Sequence, residues 1–116
     1  MSFTRLWIDD LRPIPEDYDH TEWTSARSFH EAIVKLELLE IEEVSFDHDL
    51  GENSIYGYKE MTGYDVVMWL CARQQNGLPT PNVYQIHSAN PVGVNNMKQM
   101  IESYLADAVK VISSLN

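Results

Sequence analysis

Trp7-Ile8-Asp9-Asp10-Leu11-Arg12 is a short apolar run that stops abruptly on titratable residues, and Ser45-Phe46-Asp47-His48-Asp49 and Gln85-Ile86-His87-Ser88 repeat the pattern. Strands buried on both faces of a parallel sheet read as near-continuous apolar runs of this kind. Open α/β sheets take their ligands outside the carboxyl ends of such strands. Read as parallel strands, the three runs gather Asp9, Asp10, Arg12, Asp47, His48, Asp49 and His87 at one edge of a sheet.

Working outward, residues 4–9 form the first strand, bounded by Leu11-Arg12-Pro13-Ile14-Pro15. Its two prolines forbid an ordinary helix interior. A short second strand is expected around residues 22–25. An amphipathic helix over 28–40 follows, with Ser28 as N-cap and Phe29, Ile33 and Leu36 a turn apart. A third strand ends at Asp47, and a stretch without helical period, containing Gly51 and Gly57, runs from His48 to Met61. That is long for a strand-to-helix connection and suits a binding loop. Thr62 caps a helix that reaches about Gln75, where Asn76-Gly77 stops it. Residues 82–87 make a fourth strand, Asn90-Pro91 breaks it, a helix covers about 93–106, and 108–113 make a last strand.

This alternation predicts an α/β fold, a three-layer sandwich with helices on both faces of a mostly parallel five-stranded sheet. The strand order is expected to be flavodoxin-like, 2-1-3-4-5. About a dozen residues separate the first two strands, so the usual first helix is expected to be reduced or missing, leaving one sheet face open near Arg12.

The chain's 116 residues, 44% of them hydrophobic, suit a single domain with one core. No run approaches the roughly 20 apolar residues of a membrane span, and the N-terminus lacks a signal-peptide pattern, so a soluble cytoplasmic protein with no membrane partner is expected. The lone Cys71 lies in an apolar helical pattern and reads as a buried small hydrophobe. A net charge of −10, from 18 acidic against 8 basic residues, argues against a phosphate-neutralising face for duplex DNA. A small nucleotide or an RNA end remains compatible, because a cation held by carboxylates reverses the local field. Oligomeric state is not legible in the sequence.

Asp9 and Asp10 on one strand end and Asp47 on its neighbour supply the oxygen ligands that a hard divalent cation, Mg²⁺ or Mn²⁺, requires. The alternative is that Asp9 or Asp10 caps a turn through its side chain. Alternation along a strand puts Asp47 and Asp49 on one side and His48 on the other, unless the backbone turns there. A histidine between carboxylates suits general acid–base work, and the alternative is a ring merely fixed by one of them. His48 and His87 at adjoining strand ends could face one substrate from two sides, exchanging protons during phosphodiester cleavage while Arg12 binds the phosphate. Ser88 lacks the glycines of a nucleophile elbow and is read with Asn90 as a substrate-binding residue.

The order of Asp9-Asp10, Asp47 and Ser88 resembles the receiver domains of response regulators. In those domains the acidic pair binds Mg²⁺ and the third aspartate accepts a phosphoryl group. The set Asp-Asp-x-Arg-Pro, Ser-Phe-Asp-His-Asp-Leu-Gly, Thr-Gly-Tyr-Asp and His-Ser-x-Asn-Pro-x-Gly is more closely similar to the cyclic-phosphate processing receiver domains. That resemblance implies a metal-assisted phosphoesterase for cyclic phosphates of nucleotides or RNA ends. Asp9, Asp10 and Asp47 would form its acidic pocket, and His48 and His87 would be its distinguishing additions. Receivers also carry a lysine at the end of the fifth strand. Here Ser113-Ser114 stand in its place, Lys110 comes too early, and Lys59 in the long loop would have to substitute. A divergent phosphoacceptor module and a non-catalytic nucleotide-binding or inhibitory protein are the alternative functions.

Overall fold

The computed structural model describes residues 2–50 and 61–112. Five strands, β1 (Arg5–Ile8), β2 (Trp23–Ala26), β3 (Glu43–Phe46), β4 (Val83–Ile86) and β5 (Lys110–Val111), form one sheet in the order β2-β1-β3-β4-β5. Every neighbouring pair is parallel, so both the expected order and the expected direction are observed. Three helices, α1 (Phe29–Leu38), α2 (Gly63–Gln75) and α3 (Pro91–Tyr104), fill the crossovers after β2, β3 and β4.

Each helix start has a local cause. The Ser28 hydroxyl accepts from the Glu31 backbone N–H, and Phe29, Ala32 and Leu36 then fall on the buried stripe of α1. Thr62 and Asp65 form a reciprocal capping box on α2. At α3 the Asn90 side chain accepts from the Gly93 N–H, with Pro91 at the first helical position. The helix therefore starts earlier than the expected residue 93. Pro91 does not break the chain there, because its missing N–H is one that a helix start leaves unpaired in any case.

Right-handed crossovers, the rule between parallel strands, place α1, α2 and α3 on one face of the sheet, and α2 packs against both α1 and α3. Their buried residues meet Leu6, Ile8, Val44, Phe46, Tyr84 and Ile86 in one apolar cluster. Complete burial of a side chain such as Phe46 or Ile86 contributes about 1.5–3 kcal/mol. Cys71 is a free thiol in this cluster, as expected. The opposite face shows the expected absence of the first helix. Among the described residues, its outer layer is the irregular β1–β2 connection, residues 9–22. Pro13 and Pro15 keep that connection from becoming a helix. In place of a helix it lays Tyr18 beside Trp7 and Trp23, with ring centroids 5.9 and 4.9 Å away. The expected loop over 48–61 falls largely outside the described residues, as does Lys59.

Candidate functional site

The register aligns Ile8, Phe46 and Ile86 as the last residues of the three central strands. The ladder continues one residue further, with the Asp47 N–H bonding the Ile8 carbonyl at 2.9 Å and the His87 N–H bonding the Phe46 carbonyl at 2.9 Å. Asp9, Asp47 and His87 therefore stand level, and alternation turns them toward the helix-free face that Trp7, Ser45 and Gln85 occupy.

One carboxylate oxygen each of Asp9, Asp10 and Asp47 lie within 4.8 Å of one another. These acids open onto a depression of about 520 Å³ that Arg12, Asp49, Ser88 and Asn90 also line. Asp9 both caps a turn and faces the cluster. Its Oδ1 accepts the backbone N–H groups of Leu11 (2.9 Å) and Arg12 (2.8 Å), and its Oδ2 accepts from His87 Nε2 at 3.1 Å. Burial raises the Asp9 pKa, but the His87 hydrogen bond and the Arg12 and Leu11 amides outweigh it and hold the carboxyl below its ordinary value. Asp47 moves the other way. Burial and then the charge of Asp9 push it up, against opposing pulls that include the Ser88 hydroxyl.

These shifts have opposite consequences for stability. Asp47 titrates higher in the folded than in the unfolded chain, so its contribution is present below the ordinary carboxyl pKa of 3.8 and lost as pH rises through the folded value. At neutral pH its charge is a burden. Asp47→Asn is therefore expected to raise the melting temperature of metal-free protein by a few degrees at pH 7, on the order of 1 kcal/mol, and to leave it nearly unchanged at pH 3. Thermal melts at the two pH values check this.

The other predicted site residues are placed as follows. Arg12 donates Nη1 to the His87 carbonyl at 3.2 Å, which fixes the guanidinium at the mouth of the depression. Ser88 is buried and bonds Asp47, while its Oγ accepts the Asn90 N–H at 3.1 Å. Asn90 is first a helix cap, although its Nδ2 also reaches Asp49 Oδ2 at 3.4 Å. His48 lies toward the helix face, its Nδ1 3.0 Å from Asp49 Oδ1. A Cβ on Gly93 would sit 2.4 Å from its ring, so the glycine makes room for the imidazole.

His87 lies beneath the site rather than facing a substrate across it from His48. Its ring is fully buried, stacked on Trp7 with centroids 3.7 Å apart, and both nitrogens are engaged, Nδ1 with Ser45 Oγ at 2.6 Å and Nε2 with Asp9. It does not line the depression and meets it through Asp9. The two histidines flank the carboxylates from opposite faces of the sheet, and His48 meets the lining of the depression through Asp49 and Asn90. Ser45 and Gln85, which the sequence reading passed over, belong to the site through His87. Their signal was a pair of polar residues at buried strand positions.

Fold and site together define a receiver-like α/β domain whose acidic edge survives while one flanking helix is absent. The chain belongs to the family described as the Cyclic-phosphate processing Receiver domain, which it matches over residues 4–103. Among solved structures it is similar to the crystal structure of a response regulator receiver domain protein (CheY-like) from Methanospirillum hungatei JF-1. That likeness has a TM-score of 0.56 and 17% identity, covering 99% of this chain and 85% of that one, and it bears on the fold alone. No curated protein matches the chain.

Proposed function

We propose that the protein opens a cyclic phosphodiester of a nucleotide or an RNA end with the help of Mg²⁺ or Mn²⁺. The observation that carries this reading is one depression lined by three clustered carboxylates, the Arg12 guanidinium and Ser88, in a chain of the cyclic-phosphate family. The donor set fits the cation. All three candidate ligands are hard carboxylate oxygens, and Asp47 is pushed up first by burial and then by the neighbouring charge of Asp9, which a cation would offset. Asp9, Asp10 and Asp47 would hold the ion, which when bound would neutralise charge on the phosphate and acidify a water.

The chain's own residues would do the rest. Arg12 would dock the phosphate oxygens, and Ser88 and Asn90 would hold Asp47 and the rim in place. Hydrolysis forms a bond from phosphorus to the oxygen of water and breaks the bond to the sugar oxygen, which leaves with a proton. His48, hydrogen-bonded to Asp49 of the depression's lining, would exchange that proton. The net charge of −10 favours small phosphates over duplex DNA as partners.

The test is incubation of the protein and either cation with 2',3'-cyclic and 3',5'-cyclic nucleotides. Ring-opened monophosphate is expected. His48→Ala is expected to lower kcat about 10²–10⁴-fold and remove one limb of the pH–rate profile. Arg12→Ala is expected to lower kcat/KM about 10–100-fold. Bound but unaltered cyclic nucleotide would instead favour a non-catalytic binding protein. Labelling by acetyl phosphate that disappears in Asp47→Ala would favour the phosphoacceptor. Against the latter, no lysine lines the depression among the described residues, and Lys110 pairs in register with Gln85, short of the strand ends.

A further inference from the structure

The helix-free face carries a continuous chain of buried polar groups that ends on Asp9. Trp7, Ser45 and Gln85 form one cross-strand row of the register, and His87 stands two residues beyond Gln85 on the same face. The Gln85 amide nitrogen lies 3.1 Å from the Tyr18 hydroxyl and 2.8 Å from Ser45 Oγ. Ser45 Oγ lies 2.6 Å from His87 Nδ1, and His87 Nε2 lies 3.1 Å from Asp9 Oδ2. No buried side-chain polar atom among the described residues lacks a partner.

Counting donors sets the direction of the chain. The two Gln85 amide hydrogens go to Tyr18 and Ser45, and in a neutral His87 ring the Nε2 facing the Asp9 carboxylate must carry the hydrogen, so Nδ1 takes the Ser45 hydroxyl hydrogen. The reverse arrangement would set a bare Nε2 against a carboxylate oxygen, lone pair to lone pair. Trp7 closes the system by stacking on the imidazole while its Nε1 donates to the Arg12 carbonyl at 3.0 Å, tying the Arg12 turn to the same scaffold.

We infer that Gln85 and Ser45 fix His87 as an Nε2–H donor, and that His87 is thereby a positioning residue that orients Asp9 as a cation ligand. This inference rests on the cation reading of the site. It also gives the helix-free face a purpose. Among the described residues no helix lies on that face, the polar row meets the 9–22 connection there, and Tyr18 from that connection terminates the row. Groups that orient a ligand typically change metal affinity about 10–100-fold when removed.

The experiment uses the full chain and two readouts, histidine-selective ¹⁵N spectra of metal-free protein and calorimetric Mn²⁺ binding. Wild-type protein is expected to show His87 with a bare Nδ1 and a protonated Nε2. Ser45→Ala is expected to lose that signature and to weaken Mn²⁺ binding about tenfold, and Ser45→Thr, which keeps the hydroxyl, to restore both. A merely structural Ser45 would lower the melting temperature and move neither readout in the folded protein. Should Ser45→Ala not fold, Gln85→Met tests the next link, with a smaller weakening in the same direction. A proton on His87 Nδ1, or a folded Ser45→Ala protein that binds Mn²⁺ like wild type, overturns the inference. Wild-type protein that binds no Mn²⁺ overturns the cation reading itself, whatever the His87 spectrum shows.

Discussion

Asp9→Asn is expected to abolish the response to Mg²⁺ or Mn²⁺ and to destabilise the metal-free protein by about 2–4 kcal/mol, the range for breaking a buried hydrogen-bonded charge. The asparagine oxygen can still accept from Leu11 and Arg12, but its amide then presents N–H groups to the Nε2–H of His87. Two donors face each other in a buried site. The pH dependence has a definite sign. Asp9 titrates lower in the folded than in the unfolded chain, so its contribution is fully present above the ordinary carboxyl pKa of 3.8 and is lost as pH falls through the depressed folded value. The deficit of Asp9→Asn relative to wild type should accordingly be large at pH 7 and shrink in strong acid. Asp47→Asn moves stability the opposite way, so two chemically identical substitutions a few ångströms apart separate in sign. Denaturant titrations of both variants at several pH values measure this.

Gly63→Ala is expected to cost about 3 kcal/mol and to disturb the site as well as the fold. A Cβ at residue 63 would lie 1.9 Å from the Asp47 carbonyl oxygen and 3.0 Å from its carbon, and neither is a flexible side-chain tip. The same backbone donates its N–H to the His48 carbonyl at 2.7 Å, so α2 begins pressed against the segment that carries Asp47 and His48. Relief must come from moving that segment. The expected result is a lower denaturant midpoint together with weakened Mn²⁺ binding. Ala at residue 77, where the added carbon meets nothing within 4 Å although φ is 73°, should lower stability through backbone strain and leave binding alone.

Much of this was legible in the chain itself. The three apolar runs ending on titratable residues located β1, β3 and β4 and therefore the edge where Asp9, Asp10 and Asp47 converge. Pro13 and Pro15 announced the missing helix. The role of His87 was less legible, because it depends on which face a residue takes after the strand ends. Ile86 is the last residue on the helix side, so His87 turns under Trp7, whereas His48 turns toward Gly93. Ser45 and Gln85 looked like ordinary interruptions of apolar strands, and only the cross-strand register shows that they stand side by side. Asn90 looked like a substrate-binding residue and serves as a helix cap at the rim of the depression, whereas Thr62 caps α2 as its spacing indicated. Local spacing cannot separate capping from binding when one residue sits where a helix start and a site coincide.

The central claim is that one cation and one phosphate share the edge formed by Asp9, Asp10, Asp47 and Arg12. Anomalous diffraction from a crystal containing Mn²⁺ and a slowly hydrolysed cyclic phosphorothioate tests it most directly. A manganese peak is expected among the Asp9, Asp10 and Asp47 carboxylates, with the phosphorus within hydrogen-bonding reach of Arg12 through its oxygens. Manganese bound elsewhere with this cluster empty, or a phosphate that stays away from Arg12, would contradict it.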